Sequence, residues 1–175
     1  MKKILVVVDY QRDFVDGALG FPGAERLEAP ICARIEQVRA EGSEVVFTFD
    51  THHGDYLETR EGRDLPVPHC IKGSEGWGLY GGVAAHCDAQ TRCFEKPTFG
   101  SFELAEYLRA GQYDEVELCG LVSNICVISN AALARAALPE AAICVDARCT
   151  GGGDPLLNEK ALDVMQGFFI EVKGR

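Results

Sequence analysis

The sequence has no long apolar run, little positive charge and no C-x-x-C spacing among its cysteines. No apolar stretch approaches the roughly 20 residues that cross a bilayer as a helix, so we expect no membrane span. The chain carries 17 Lys and Arg residues against 27 Asp and Glu residues, a formal net charge of −10. Nucleic acids and anionic membranes need basic patches, so neither is expected as a partner.

Cysteine itself is plentiful, with eight residues in 175. The missing C-x-x-C spacing argues against a structural zinc ribbon. The apolar run near the start is too short for a secretory signal, so we expect a cytoplasmic protein with reduced thiols. Cys119 and Cys144 lie in apolar runs and are expected in the core. Cys87 and Cys93 would pair only if their region folds as a hairpin.

Apolar β-branched runs alternate with helical patterns along the whole chain. Strands are predicted at 4–8, 44–49, 91–94, 115–119, 142–145 and 167–172, and helices at 27–38, 102–110, 123–137 and 155–165. A region at 50–82 shows no period, and a loop of that length is more often functional than idle. The pattern predicts one α/β domain over residues 1–175, a three-layer α/β/α fold with a mainly parallel, Rossmann-like sheet.

The segment 115–127 places a cysteine directly after a buried strand and a glycine turn. Cys126 would lie in the first turn of a helix, where unpaired N–H groups and the dipole stabilise an anion. A thiolate is the nucleophilic form of cysteine. Cys126 is therefore the cysteine whose local sequence predicts reactivity.

Right-handed crossovers would bring four polar residues to the same edge of the sheet, because each follows the carboxyl end of a strand. These residues are Asp9, Asp50, Lys96 and Cys126. A carboxylate, a cation and a thiol can serve as general base, orienting group and nucleophile. Each residue alone is more often structural: a strand-end turn for Asp9, a solvated amine for Lys96 and a small helix residue for Cys126.

A second group could share a cation. Asp50 and His52 lie two residues apart, on one side of an extended chain, and His69 could join them from the long loop. Surface histidines without a metal remain the alternative.

Five motifs occur in one order along nearly the whole chain: Val8-Asp9-Tyr10-Gln11-Arg12-Asp13-Phe14, Asp50-Thr51-His52, Pro68-His69-Cys70-Ile71-Lys72-Gly73-Ser74, Lys96-Pro97-Thr98-Phe99-Gly100-Ser101-Phe102 and Gly120-Leu121-Val122-Ser123-Asn124-Ile125-Cys126-Val127. With them the sequence resembles the cysteine hydrolases of isochorismatase-like fold, and among these the nicotinamidases. Any one motif is weak, whereas five in order are a specific match.

The resemblance implies a catalytic triad of Asp9, Lys96 and Cys126. It also implies an oxyanion hole made by the backbone N–H groups of Val122 and Cys126. A cis peptide bond is expected in the same turn, at Val122–Ser123.

The resemblance further implies a divalent metal ion, with zinc first and iron or manganese as alternatives, bound by Asp50, His52 and His69. Tyr56 stands near where some members have a further histidine. Glu61 is therefore the expected fourth ligand, with Glu58 as the alternative. His53 is a poorer candidate because it points opposite to His52 on an extended chain.

For the substrate pocket the resemblance implies a wall formed by Phe14 and Val122. Many nicotinamidases have a Trp just before the Pro-His of the metal loop, where this chain has the segment 65–68. Trp77 and Tyr107 are alternative aromatic walls, although both are more often packing residues.

The function implied is hydrolysis of nicotinamide, or a similar aromatic carboxamide, to the acid and ammonia through a thioester, by a homo-oligomer. The alternative within the family is a hydrolase of an N-carbamoyl or ureide-type amide. Isochorismatases proper lack the nucleophilic cysteine, so Cys126 argues against that activity. A nucleotide- or flavin-binding module is disfavoured because Asp9-Tyr10-Gln11 stands where a glycine fingerprint would be needed.

Overall fold

The computed structural model describes residues 1–175, and its six strands form one fully parallel sheet. The strands are β1 (Lys3–Val8), β2 (Glu44–Asp50), β3 (Cys93–Lys96), β4 (Glu115–Leu121), β5 (Ala142–Gly151) and β6 (Glu171–Lys173). Their order is β3-β2-β1-β4-β5-β6. The prediction of a parallel, Rossmann-like α/β sheet is confirmed.

Six α-helices and four shorter turns connect the strands. The helices are α1 (Arg12–Val15), α2 (Glu28–Ala40), α3 (Arg60–Asp64), α4 (Phe102–Gly111), α5 (Ile128–Ala137) and α6 (Pro155–Gly167). Single 3-10 turns lie at Ala24–Leu27, Tyr56–Glu58 and Gly81–His86, and a π-helical turn at Ser123–Val127 leads into α5. None of these helices combines the length and apolar character needed to span a membrane.

The apolar side chains of β1 alternate between two cores, which makes three layers. Ile4, Val6 and Val8 pack on the face covered by α4, α5 and α6. Leu5 and Val7 pack on the opposite face, against α2 and the loops around it. Since both faces of the strand are buried, its sequence is an unbroken apolar run rather than an alternating one.

Several strand boundaries differ from the predicted ones. β3 covers Cys93–Lys96 rather than 91–94, and β4 continues through Gly120 to Leu121. β5 continues past Asp146 to Gly151, because the register against β4 shifts between Leu118 and Gly120 and pairing then resumes. The last strand covers only Glu171–Lys173, since α6 runs through Gly167. The local pattern predicts that β5 ends at Asp146 and that α6 ends before Gly167. Tertiary contacts extend both elements beyond these positions.

The central strands approach closely at their carboxyl ends. Val8 pairs with Gly120, and a Cβ on Gly120 would lie 2.0 Å from the Val8 carbonyl oxygen. Gly120 also has a φ of +104°, which favours glycine. The glycine therefore lets the turn after β4 lie directly beside the end of β1.

Candidate active site

Asp9, Lys96 and Cys126 meet at the carboxyl edge of the sheet, as the sequence predicts. The Lys96 Nζ atom lies 2.5 Å from Asp9 Oδ2 and 3.6 Å from Cys126 Sγ. It also donates to the Thr98 carbonyl at 3.0 Å and lies 3.5 Å from Asp50 Oδ1. All three predicted residues are buried. Lys96 thus stands between the carboxylate and the thiol and contacts both.

Neighbouring strands hold the Asp9 carboxylate in place. The Thr48 hydroxyl of β2 donates to Asp9 Oδ1 at 2.6 Å, and the Asp9 N–H donates to the Thr48 carbonyl at 3.2 Å. The chain turns sharply here, since Asp9 has a φ of 43°. One oxygen of the carboxylate is thereby fixed by Thr48, and the other faces Lys96.

Burial sets the protonation of the site. It raises the pKa of the Cys126 thiol well above its ordinary value, and Asp9 raises it further while Lys96 opposes the shift. Burial also raises the pKa of Asp9, despite the charge of Lys96, which makes this carboxylate a better proton acceptor. Burial and Asp9 therefore oppose the thiolate form of Cys126, whereas Lys96 favours it.

The turn before Cys126 differs by one residue from the predicted one. The cis peptide bond lies at Leu121–Val122, not at Val122–Ser123, because the chain leaves β4 immediately after Leu121. The Val122 carbonyl accepts hydrogen bonds from the N–H groups of Ile125 and Val127, both at 3.1 Å. The N–H of Val122 has no acceptor within the chain.

The predicted metal ligands also come together, in a group that we call the metal-ligand cluster: Asp50, His52, Glu61 and His69. One ligand atom from each residue lies within 4.8 Å of the others. The Nε2 atoms of His52 and His69 lie 3.1 Å and 3.3 Å from Asp50 Oδ2. The His69 Nδ1 atom lies 2.8 Å from the Val67 carbonyl, which can only accept, so His69 Nε2 is left free to bind a metal.

The cluster has the chemistry that a divalent cation requires. Asp50 Oδ1 and Glu61 Oε2 are buried without a hydrogen-bond partner. Burial and the charge of Asp50 raise the pKa of Glu61, a sign of uncompensated negative charge. Two imidazoles and two carboxylates are the donors that zinc and other divalent transition metals bind. The residues present therefore fit a divalent metal ion.

Glu61 reaches the cluster because α3 packs tightly on the turn before it. The Thr59 hydroxyl accepts the Gly62 N–H at 3.0 Å and caps the helix. A Cβ on Gly62 would lie 1.9 Å from the Tyr56 carbonyl oxygen, so only glycine allows this packing. The alternative ligand Glu58 is exposed and outside the cluster.

Tyr56 is not a metal-ligand candidate in this structure; its ring packs against the rings of His52 and His69. Its ring lies 4.7 Å from the His52 ring and 5.1 Å from the His69 ring, between centroids, and its hydroxyl donates to the Leu65 carbonyl at 2.8 Å. His53 is exposed and takes no part.

Sequence reasoning missed Gln11 and Asp13, which hydrogen bond to the chain at Asp50 and beside His69. The Gln11 amide donates to the Asp50 carbonyl at 2.9 Å and accepts from the Asp50 N–H at 2.8 Å. Asp13 Oδ2 accepts the N–H of Cys70, the neighbour of His69, at 2.7 Å. The signal available was their polarity within the motif after β1, but spacing alone does not show their partners.

A largely apolar cavity opens beside Cys126 and the metal-ligand cluster. Its walls are Phe14, Leu19, Leu65, Phe99, Val122 and Ile125, and its polar end contains Asp50, Glu61, His69 and Cys126. Phe14 and Val122 were expected there. Leu19, Phe99 and Ile125 were missed, because loops from distant parts of the chain bring them together.

The two alternative aromatic walls are wrong. Trp77 packs on Phe49 and its indole N–H donates to the Thr51 hydroxyl at 3.0 Å, so it supports the segment that carries Asp50 and His52. Tyr107 packs on Phe94 and hydrogen bonds to Glu44 at the start of β2. Neither lines the cavity.

Asn130 of α5 is a further residue that sequence reasoning missed. Its amide donates to the carbonyls of Cys126 at 2.8 Å and Phe99 at 3.1 Å, and accepts the Ser101 N–H at 3.0 Å. It therefore joins the turn that carries the thiol to the loop that carries a cavity wall.

Comparison with known proteins agrees with this geometry. The isochorismatase domain model matches residues 3–174. The isochorismatase family protein PncA of Bacillus subtilis (strain 168) is 36% identical over 146 residues, covering 75% of this chain and 77% of that protein.

Two solved structures are similar over nearly their whole length. The nicotinamidase/pyrazinamidase PncA from Bacillus subtilis has a TM-score of 0.88 at 30% identity, covering 98% of this chain and 99% of that one. The pyrazinamidase of Pyrococcus horikoshii in complex with zinc has a TM-score of 0.85 at 26% identity, covering 98% of both chains. With the domain match spanning the sheet and every residue of the site, the chain belongs to the isochorismatase family.

Proposed function

We propose that this protein is an amidohydrolase that cleaves nicotinamide, or a similar aromatic carboxamide, to the carboxylic acid and ammonia. One observation carries the proposal: the contact of Lys96 with both Asp9 and Cys126, beside a cavity that ends in the metal-ligand cluster. The first set of residues suits amide cleavage by a thiol, and the second suits a substrate whose ring offers a metal ligand.

In the proposed first step Asp9 accepts the proton of the Cys126 thiol, and the sulfur attacks the amide carbonyl carbon. Lys96 stabilises the thiolate as it forms, since a nearby cation favours the anion. The carbonyl electron pair moves onto oxygen, where the N–H groups of Val122 and Cys126 donate. A preorganised donor of this kind typically lowers the barrier by about 3 kcal/mol.

The tetrahedral intermediate then collapses. The C–N bond breaks, its electron pair goes to nitrogen, and Asp9 returns its proton to the departing ammonia. A thioester to Cys126 remains. Asp9 next takes a proton from water, the water oxygen attacks the thioester carbonyl, and the C–S bond breaks with the proton returning to sulfur.

The cavity and the metal-ligand cluster orient the substrate in this scheme. Apolar side chains, Phe14 and Val122 among them, pack against an aromatic ring and exclude water from the thioester. Asp50, His52, Glu61 and His69 would hold a divalent ion, zinc in this proposal, which would supply a Lewis acid for a ring nitrogen of the substrate.

A substrate panel tests this proposal. The zinc-loaded protein is assayed for ammonia release from nicotinamide, pyrazinamide, benzamide and an N-carbamoyl amino acid. We expect turnover of the two ring-nitrogen amides and at least about tenfold lower kcat/KM for benzamide, the loss of one metal contact. Turnover of the N-carbamoyl compound alone would replace the proposal with the carbamoyl-hydrolase alternative.

A further inference from the structure

Cys87 and Cys93 place two thiols in direct contact away from the residues assigned above. Their Sγ atoms lie 3.4 Å apart, and both side chains are half-buried rather than enclosed. Cys93 is the first residue of β3, the strand that ends in Lys96. All eight cysteines of the chain are free thiols.

A hydrogen-bonded turn holds the two thiols side by side. The Thr91 N–H donates to the Asp88 carbonyl at 3.1 Å, and the Thr91 hydroxyl donates to the Asp88 carboxylate at 2.9 Å. The Gln90 N–H donates to the same carboxylate oxygen at 2.9 Å. This turn fixes the chain between Cys87 and Cys93, so the two sulfurs are close before any bond forms. Little conformational entropy is therefore lost when they are joined.

The two thiols are electrostatically different. Contact with the Cys93 thiol lowers the pKa of Cys87, and Arg39 lowers it further, although burial and Asp88 oppose this. Contact with Cys87 and burial raise the pKa of Cys93. In thiol–disulfide exchange the thiol with the greater thiolate fraction attacks first. This difference favours Cys87 as the attacking thiol and Cys93 as the resolving one.

We propose that Cys87 and Cys93 form a reversible dithiol–disulfide site that reacts with small-molecule disulfides, separately from the buried Cys126. The Cys87 sulfur attacks the small disulfide, its S–S bond breaks, and one small thiolate leaves. The Cys93 sulfur then attacks the Cys87 sulfur of this mixed disulfide and expels the second thiolate. The two protein thiols are oxidised, the small disulfide is reduced, and the two thiol protons pass to the two released thiolates.

The fold makes the two reactive sites unequal toward such an oxidant. Cys126 is buried and burial raises the pKa of its thiol, whereas the Cys87 and Cys93 pair is half-buried at the surface end of β3. Oxidation at the pair closes the loop between them and leaves the Cys126 thiol free.

To test this site, the folded protein is treated with oxidised glutathione and its free thiols are then alkylated. Mass spectrometry of the tryptic peptides identifies the modified cysteines. Trypsin cuts after Arg92, between the two cysteines, so the disulfide appears as two linked peptides that a reductant separates. We expect these linked peptides from the wild-type protein, with Cys126 recovered as a thiol. In Cys93→Ser we expect a stable glutathione adduct on Cys87, and in Cys87→Ser an initial reaction at least about tenfold slower. Cys144→Ser, which changes a buried thiol elsewhere, should match the wild type.

Three results would overturn the proposal. They are a stable glutathione adduct on Cys87 in the wild-type protein, reaction of Cys126 before the pair, and two unmodified thiols under conditions that oxidise the urea-unfolded chain. Since none of these readouts uses amide hydrolysis, the outcome is independent of the proposed enzymatic function.

Discussion

Two clusters of metal-binding residue types lie at opposite ends of the same sheet. The metal-ligand cluster occupies the carboxyl ends of the strands. The other, which we call the amino-end cluster, consists of Glu115, Glu117 and Cys144 and lies near the starts of β4 and β5. In each cluster the potential ligand atoms lie within 4.8 Å of one another. Residue type and distance alone do not distinguish them.

The amino-end cluster is neutralised by cations of the chain. Glu117 accepts two hydrogen bonds from the Arg34 guanidinium, each at 2.6 Å. Glu115 lies 3.1 Å from Lys3 Nζ and 3.4 Å from Lys173 Nζ. With both carboxylates paired, this cluster has no need of a metal ion and serves the fold.

The metal-ligand cluster has no such full pairing with Lys or Arg. Its carboxylates contact the imidazoles of His52 and His69, and Asp50 shares the ammonium of Lys96 with Asp9. Asp50 and Glu61 each keep a buried oxygen without a hydrogen bond. An uncompensated buried charge is costly unless something pairs with it. Unsatisfied polar atoms therefore distinguish the cluster proposed to bind a metal ion from the cluster that stabilises the sheet.

Among the exchanges at the two ends of the sheet, replacing one carboxylate by its amide in each region has the largest expected effect. Asp9→Asn removes the proton acceptor while keeping the shape that the Thr48 hydroxyl holds, so kcat for nicotinamide should fall about 1,000-fold. Glu117→Gln should leave kcat within about twofold, since Glu117 lies away from the cavity. Equal losses of kcat in the two folded variants would remove the distinction between the regions.

Metal binding should depend on one cluster only. Isothermal titration of the chelator-treated wild-type protein should show one tightly bound zinc ion. Glu61→Gln should weaken binding at least about tenfold, as loss of a charged ligand does, and Glu115→Gln should not change it. In thermal unfolding, free zinc at 100 times its Kd should stabilise the wild type by about 2.7 kcal/mol. If zinc binding were weaker in Glu115→Gln and unchanged in Glu61→Gln, the metal would bind at the amino-end cluster, which would contradict this prediction.

Asn130 offers a smaller test of how the site is positioned. Asn130→Ala removes the link between the Cys126 turn and the Phe99 loop, and we expect kcat to fall about tenfold to a hundredfold with a smaller change in KM. Asn158→Ala on α6 is the control, because its side chain hydrogen bonds to Glu159 and does not line the cavity. An unchanged kcat in Asn130→Ala would show that the turn holds Cys126 without this link.

The smallest expected effect is on stability and has the opposite pattern. In urea unfolding without metal, Glu117→Gln should lower the free energy of unfolding by about 2 kcal/mol, because it weakens a charged hydrogen-bonded pair. Glu61→Gln should leave that free energy unchanged or raise it, since it removes an uncompensated charge. A larger loss in Glu61→Gln than in Glu117→Gln would contradict the account of the two clusters.

Much of the site could be predicted because the local sequence shows where each buried strand ends. Apolar runs fix β1 and β2, and Asp9 and Asp50 follow from where those runs stop. The family resemblance implied Glu61 as a metal ligand, with Glu58 as the alternative. The region 50–82 shows no period, so the contacts of Gln11, Asp13 and Trp77 with it could not be predicted. The burial of Cys126, which raises the pKa of its thiol, is a tertiary property that a helix-end pattern does not contain.

The most direct test of the central claim compares two buried cysteines, one from each end of the sheet. Ammonia release from nicotinamide is measured with zinc-loaded wild type, Cys126→Ala and Cys144→Ala. We expect ammonia and nicotinate in equal amounts from the wild type and from Cys144→Ala, and a loss of about 10,000-fold or more in folded Cys126→Ala. Continued ammonia release by Cys126→Ala, or none from the wild type, would contradict the claim that this thiol cleaves the amide.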